Sequence, residues 1–338
     1  MLKRITDCLR LKGLISESIK KPVFLFVFIA LSNFITAQTD RHGIPAELKQ
    51  QTVISEPSTM RKGFLRIGVI YSHSLLDKYF DENGQKMSYY GSSTSQGRTY
   101  AVSVEYGITD RLEADVSMSY ANGFINSTQA LDNLYFDTII TVYADIKTRG
   151  FGDLNFGFDY QIIKENSIMP SLTALTRVTI PTGEKNITDV KDEFNFNEPA
   201  GNGEFNASLD LLLKKIKYPF SFDLRIGAVY YFGGEKIFEP FEETKSFKTG
   251  TFIYIDGGIN FNLNDWIALE NEIAYHNFGR KEVDGEYKHD YIPWNISYNP
   301  KLNFQLKRFR LVECVTIPLS GKGENADPAY IFIIQYVF

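Results

Sequence analysis

The sequence is poor in cysteine and histidine, and each shortage excludes a class of protein. Its 338 residues include only two cysteines, Cys8 and Cys314, which rules out a disulfide-stabilised miniprotein. Four histidines are few for a metal site or for histidine-based catalysis, and only His276 falls on a predicted strand. No Gly-X-Ser-X-Gly motif occurs. We therefore expect no catalytic residue, no metal and no cofactor.

Basic residues and long apolar runs are also scarce. There are 36 Lys and Arg against 41 Asp and Glu, which gives a formal net charge of -5. Nucleic-acid partners are not expected, because no basic surplus is present to neutralise phosphates. Beyond residue 37 no apolar stretch approaches the ~18–20 residues of a membrane helix. This excludes a bundle of transmembrane helices.

The longest continuous apolar run lies near the N-terminus. Residues 22–31 are apolar, two lysines precede them, and Ala37 stands before a polar residue. A basic flank, a short apolar run and a small residue are typical of a secretory signal peptide. We predict a signal peptide over 1–37. A membrane anchor is the alternative, but the run is short for one.

From residue 62 onward, alternation with a period of two dominates the chain. In 112–120 and 220–230 every even residue is apolar or aromatic, apart from the small Ala114 and Ala228, while most odd residues are polar. Such segments form strands with one apolar and one polar face. About twelve are predicted: 62–72, 98–106, 111–121, 150–163, 169–180, 204–213, 219–231, 250–263, 266–277, 291–305, 310–318 and 329–338.

The connections between these strands alternate between short and long along the whole chain. The short ones are 107–110, 164–168, 214–218, 264–265 and 306–309. The long ones are 73–97, 122–149, 181–203, 232–249, 278–290 and 319–328. This pattern indicates an all-β fold, a transmembrane antiparallel β-barrel of about 12 strands with short periplasmic turns and long extracellular loops. A soluble lipocalin-like barrel is disfavoured, because one strand face repeatedly carries charged residues.

Two segments refine the barrel prediction. The last ten residues place Tyr336 and Phe338 on one apolar face, and this ending resembles the signal by which assembly machinery recognises outer-membrane barrels. Residues 138–146 also look like a strand. We interpret them as the part of the fourth strand that rises above the membrane, with a bulge at Gly150 and Gly152. If they cross separately, 14 strands are the alternative.

Three stretches resemble the "meta-pathway of phenol degradation" outer-membrane family, whose members look like small-solute transporters. They are Glu105-Tyr-Gly-Ile-Thr-Asp-Arg-Leu-Glu-Ala-Asp115, Gly150-Phe-Gly-Asp-Leu-Asn-Phe-Gly-Phe-Asp-Tyr160 and Val178-Thr-Ile-Pro-Thr-Gly183. The resemblance is clear over 98–184 and loose over the rest. It implies a barrel of this type and passage of small solutes. The motifs are turn chemistry, so they identify the barrel better than its cargo.

The predicted organisation is a signal peptide (1–37), an N-terminal periplasmic segment (38–61) and an outer-membrane barrel (62–338). The strand phase places charged residues on the polar face, in the lumen. The predicted lumen-lining residues are Glu105, Glu113, Asp115, Asp153, Asp159, Arg177, Asp210, Asp223, Arg225, Asp256, Glu270 and Glu272. Arg66 and Lys301 share that face, which gives ten acids against four bases. The eleventh strand has an ambiguous phase, because Glu313 interrupts its apolar face.

The predicted function is passive or facilitated passage of small solutes, with hydrophobic or aromatic and cationic solutes as the candidates. Acidic walls favour cations over anions. A non-conducting structural or surface-adhesive barrel that acts through its long loops is the alternative, and a barrel enzyme is the least favoured. The expected partners are outer-membrane lipid and lipopolysaccharide, the barrel-assembly machinery and small-molecule solutes. The expected location is the outer membrane of a Gram-negative bacterium.

Overall fold

The computed structural model describes residues 59–88, 94–133, 138–192, 195–238, 240–241 and 243–338, without the side chains of 94–95 and 126–144. The predicted signal peptide and residues 38–58 lie outside this part of the chain. No helix within the described residues is long and apolar enough to cross a membrane.

The described chain folds into nineteen strands. In chain order these are β1 (Leu65–Leu75), β2 (Lys78–Phe80), β3 (Lys86–Ser88), β4 (Thr94–Thr109), β5 (Leu112–Asn133), β6 (Thr138–Ile163), β7 (Ser171–Ile180), β8 (Thr188–Asp192), β9 (Asn195–Glu198), β10 (Glu204–Lys217), β11 (Phe220–Lys236), β12 (Lys245–Lys248), β13 (Phe252–Asn262), β14 (Ile267–Asn277), β15 (Glu282–Val283), β16 (Glu286–Tyr287), β17 (Trp294–Leu306), β18 (Phe309–Lys322) and β19 (Ala329–Val337).

Twelve of these strands form a closed antiparallel barrel: β1, β4, β5, β6, β7, β10, β11, β13, β14, β17, β18 and β19. Each pairs with the next in this order, and β19 pairs back onto β1 with Arg66 opposite Val337. The closed ring leaves no free sheet edge. The predicted antiparallel barrel of twelve strands is confirmed.

The two faces of the wall differ as the alternation predicts. Large apolar side chains lie exposed on the outer face, with Phe158 at 53%, Leu209 at 58% and Val102 at 51% exposure. Polar side chains are buried on the inner face, among them Thr173 and Asn303. A soluble protein has the opposite arrangement, because water outside would favour the polar side chains there. This wall suits an apolar surrounding.

The connections define two ends of the barrel, named here the short-turn end and the long-loop end. At the long-loop end, β5 and β6 continue as one long hairpin with Asn133 opposite Thr138. The predicted loop 122–149 is therefore wrong in extent, because its residues continue the ladder on both sides. The pairing register shifts opposite Gly152, and Gly150 has a φ of 151°. Residues 138–146 belong to the fourth barrel strand rather than to a separate crossing.

Residues 77–88 of the predicted loop 73–97 fold back onto the loop before the last strand. Its small hairpin, β2 with β3, is held by Asp327, whose carboxylate accepts hydrogen bonds from the backbone N–H groups of Asp77 and Lys78, both at 2.6 Å. The N–H of Phe80 donates to the carbonyl of Glu324 at 2.8 Å. These contacts cover part of the long-loop end.

Residues 59–64 fold into the short-turn end. The N–H of Met60 donates to the Glu113 carboxylate at 2.6 Å, and Thr59 is 2% exposed. Gly107 lies directly against the carbonyl of Arg61, where a Cβ atom would approach the oxygen to 2.0 Å. A glycine is needed there because the two backbones touch. This segment therefore narrows the short-turn end of the barrel.

Candidate functional site

The barrel interior is the candidate site, and strand pairing brings the predicted residues together on it. All twelve predicted lumen residues lie on the wall face that carries the buried polar side chains. Glu113 is 4% exposed and Asp210 is 1% exposed. The proposed role of these residues in lining a solute path stays a prediction.

Charged side chains on neighbouring strands pair along the wall near the short-turn end. Arg66 on β1 pairs with Glu105 on β4, and its guanidinium also lies 3.8 Å from the Glu113 carboxylate. Arg177 on β7 pairs with Asp159 on β6 and lies 3.4 Å from Asp115 on β5. Each of these arginines therefore serves two carboxylates on different strands. We call this set, from β1 to β7, the arginine belt.

A second group of charged residues lies on the opposite part of the wall. Arg225 bonds Asp210 at 2.6 Å, and the Tyr254 hydroxyl donates to the same carboxylate. His276 lies 3.4 Å from Asp256. Buried polar groups of this kind are stabilised only when paired, because desolvation would otherwise cost several kcal/mol.

The neighbouring strands complete this second group with one further pair. Lys301 on β17 lies 2.9 Å from Glu272 on β14, which also accepts a hydrogen bond from Asn299 at 2.9 Å. The contacts run between adjacent strands and hold the side chains along the wall, as in the arginine belt.

Three predicted acids have other surroundings. Asp153 accepts hydrogen bonds from the N–H groups of Gly183 (3.0 Å) and Asn202 (2.8 Å), which ties the loop after β7 to the wall. Asp223 accepts a hydrogen bond from the Asn260 amide at 2.7 Å. Glu270 lies opposite Lys301 in the ladder. Within the described residues none of these three forms an ion pair within 4.0 Å. These three acids therefore add negative charge to the wall that no ion pair within the described residues offsets.

The described residues enclose two cavities inside the barrel. One, of about 340 Å³, lies towards the short-turn end and is lined by charged groups that include Glu113, Asp159 and Arg310, together with residues 59–61. The other, of about 370 Å³, lies towards the long-loop end and is lined by amides, hydroxyls, the carboxylate of Asp153 and two aromatic rings, Tyr231 and Phe252. Arg177 lines both cavities.

Charged groups at the long-loop end have perturbed acidities. Burial raises the pKa of Glu324 to about 7, partly offset by the nearby His276. Burial lowers the pKa of Lys281 to about 8, and the charges of Lys236 and Lys288 lower it further. The first shift favours the neutral acid and the second the neutral amine. One carboxyl group and one amino group at this end therefore titrate closer to neutral pH than they would in water.

Sequence reasoning missed part of the interior. Arg310 and Lys214 line the cavity near the short-turn end, where their positions beside the turns hid the strand phase. Strand pairing also resolves β18: Glu313 stands opposite Leu302 and Phe332, on the outer face. Alternation around Glu313 cannot show this, because a charged residue appears on what is otherwise an apolar face.

The predicted assembly residues lie at the end of β19. Tyr336 is 42% exposed and Phe338 is 54% exposed, and their ring centroids are 4.8 Å apart. The N–H of Phe338 donates to the carbonyl of Leu65 at 2.8 Å, which joins the last residue to the first barrel strand. Their recognition by assembly machinery stays a prediction.

Comparison with known proteins supports the fold. The sequence matches no protein-family model, and no curated protein sequence matches it. The resemblance to the "meta-pathway of phenol degradation" family is therefore not confirmed. The structure is similar to an outer membrane channel from Pseudomonas putida F1, with a TM-score of 0.65 and 17% identity, over 84% of this chain and 98% of that chain.

A second similarity is weaker. The translocator domain of the autotransporter NalP from Neisseria meningitidis superposes with a TM-score of 0.47 and 13% identity, over 90% of this chain and 98% of that chain. Only the first similarity is close enough to bear on the fold, and at 17% identity it establishes the shared barrel architecture alone.

Proposed function

We propose that this chain is an outer-membrane channel for the passage of small solutes. The observation that carries the proposal is the pair of interior cavities that share Arg177 within a closed barrel. A structural barrel has no need of cavities, whereas a solute path needs connected space. Each cavity, at about 340 and 370 Å³, falls within the ~300–1,000 Å³ that hold small molecules.

The outer face supports placement in the outer membrane. Its exposed aromatic and aliphatic side chains recur on every second residue of successive strands, as on β6, β10 and β11. Strands of about 9–11 residues suffice to cross a bilayer at a tilt, and every barrel strand is long enough. We place the short-turn end in the periplasm and the long-loop end outside the cell. Lipid and lipopolysaccharide are then its surroundings.

The wall chemistry supports a preference for neutral or cationic small solutes over anions. Ten acids line the predicted path, and Arg66, Arg177, Arg225 and Lys301 are joined there by Arg310 and Lys214, so acids remain in excess. The excess is modest, so we infer a weak selectivity rather than exclusion. Two aromatic rings, Tyr231 and Phe252, line the cavity towards the long-loop end and favour solutes with an apolar or aromatic part.

A non-conducting barrel is the second candidate, and one observation favours it. Residues 59–64 narrow the short-turn end, and Thr59 is almost fully buried there. In that case the long loops would do the work of the protein. Conduction through the barrel decides between the two candidates, because only the channel predicts flux.

Liposome swelling tests the proposal. Vesicles that contain the refolded protein should swell in solutions of small neutral sugars, and the rate should fall as the sugar grows. The gel shift between heated and unheated samples provides the control for folding. If properly folded protein gives the same rate as protein-free vesicles for every sugar, the non-conducting candidate replaces the channel.

A further inference from the structure

Three lysines converge on one aromatic ring at the long-loop end. The Nζ atoms of Lys236, Lys281 and Lys288 lie 5.5, 4.6 and 5.2 Å from the ring centroid of Phe238. The Lys281 nitrogen also lies 5.2 Å from the centroid of Phe247. A ring has two faces, so at least two of the three ammonium groups share one. We call these three residues the lysine cluster.

The two loops that supply the lysine cluster are joined by strand pairing. Phe247 on β12 stands opposite Gly234 on β11 and opposite Val283 on β15. The N–H of Lys288 donates to the carbonyl of Lys281 at 2.9 Å, which holds these two lysines together. Phe238 and Phe247 pack edge to face with centroids 5.3 Å apart, and Phe247 is 6% exposed. The cluster therefore stands on a fixed aromatic base.

Two acids near the lysine cluster bond to other groups. Glu204 accepts hydrogen bonds from the N–H and the hydroxyl of Thr249. Asp284 accepts hydrogen bonds from the N–H (2.9 Å) and the hydroxyl (3.1 Å) of Ser246. No carboxylate oxygen of the described residues lies within 4.0 Å of the three lysine nitrogens. Within the described residues the three lysines therefore lack a direct ion-pair partner, and Glu198, Glu204 and Asp153 act on Lys236 only at longer range.

Such an arrangement costs free energy unless a ligand offsets it. Cation–π contacts contribute only about 0.5–1 kcal/mol each at exposed sites. Like charges close to one another also repel. Burial, together with the charges of Lys236 and Lys288, lowers the pKa of Lys281 to about 8. An anion bound beside these ammonium groups would offset the repulsion between them.

The geometry points to a binding site for a phosphate group, formed by Lys236, Lys281 and Lys288 above Phe238 and Phe247. Lysine binds phosphate as a point charge with freely rotating donors, which suits a tetrahedral anion approached from three sides. A carboxylate carries one charge and a phosphate up to two, so phosphate matches the three lysines better. The site stands whether or not the barrel conducts.

Two sources can supply the phosphate group: a phosphate-bearing solute at the mouth, or lipid A of the surrounding leaflet. Lys236 is acted on by the charges of Glu198, Glu204 and Asp153, of which Glu204 and Asp153 belong to the inner wall. This favours the solute as the source, since lipid lies against the outer face. The experiment separates the two.

Isothermal titration of inorganic phosphate into the folded barrel, in a phosphate-free detergent, is the direct test. We expect saturable binding to the unaltered protein, at least tenfold weaker binding to Lys281→Gln, and none to the variant with all three lysines changed to Gln. Lys248→Gln is the matched control. Lys248 is exposed against Tyr230, with its nitrogen 4.9 Å from that ring, outside the cluster.

Mass spectrometry of lipid A that copurifies with the protein from native membranes gives the second arm. Equal amounts of lipid A in the unaltered protein and the triple variant, with phosphate binding lost only in the triple variant, identify a solute phosphate. Lipid A lost from the triple variant identifies the lipid phosphate. Three results would overturn the site. The first is that lipid-free, folded protein binds no phosphate. The others are that the triple variant binds phosphate as tightly as the unaltered protein, or that Lys248→Gln weakens phosphate binding as much as Lys281→Gln does. Heat-modifiable migration must show that each variant is folded.

Discussion

Removing the charge of Arg177 should make the channel more selective for cations. Arg177 lines both interior cavities and balances Asp159 and Asp115, so Arg177→Met leaves two carboxylates without their cation. Methionine keeps much of the side-chain length, which limits the change to charge. Asp159→Asn in the same protein should return selectivity towards its original value, because it restores the local net charge.

The size of the effect follows from Coulomb's law. A unit charge about 5 Å from the ion path changes the energy of a monovalent ion by about 0.8 kcal/mol at the dielectric constant of water. Cations gain what anions lose, so the difference is about 1.6 kcal/mol before screening. With a Debye length of about 10 Å at 0.1 M salt, about 1 kcal/mol remains, or a fivefold change in the permeability ratio. Near 1 M salt the change should fall below about twofold.

Reversal potentials in a potassium chloride gradient measure this ratio. Arg149→Met is the matched control, because it removes the same charge from an exposed arginine beside Tyr120 on the outer face. The control should leave the ratio unchanged. An unchanged ratio in conducting Arg177→Met channels, or a shift towards anions, would refute the assignment of Arg177 to the solute path.

Three further predictions concern stability, assembly and sidedness. Burial raises the folded-state pKa of Glu324 from 4.5 to about 7, and the nearby His276 offsets part of that rise. Between these two pH values the folded barrel holds a proton that the unfolded chain releases. The unfolding temperature in detergent should therefore fall as the pH rises from about 4.5 to 7. Glu324→Gln should flatten that dependence, and an equally steep curve would contradict it. Deleting Phe338 should lower the yield of assembled barrel without lowering export; unchanged outer-membrane levels would show that the ending is only a final strand. A tag beside Asp192 should be labelled on intact cells and one beside Asn264 should not, and the reverse pattern would invert the orientation.

The barrel could be predicted from the sequence because its signal is local and repeated. Alternation in segments such as 220–230 reports directly which face each side chain occupies, and twelve repeats leave little room for another fold. The bulge beside Gly152 could also be predicted, because two glycines interrupt a strand there. What alternation cannot show is how far a strand continues above the membrane. The extension of β5 to Asn133 is an example, because a polar hairpin in water needs no apolar face.

The interior could be predicted only in part. Strand phase brings Asp159 and Arg177 to the same face, but their pairing depends on the register between β6 and β7, which the sequence does not encode locally. The entry of Met60 into the barrel depends on a contact with Glu113 far along the chain. The lysine cluster depends on strand pairing between two loops, and the loop sequences do not predict that pairing. Contacts between residues far apart in the sequence can be identified only once the fold is known.

The conductance of the refolded protein in a planar lipid bilayer tests the central claim most directly. The account predicts discrete, reproducible current steps from protein whose folding is shown by heat-modifiable migration, with a permeability ratio that weakly favours potassium over chloride. A bilayer that stays silent with the same folded protein would contradict the claim that the interior cavities form a solute path.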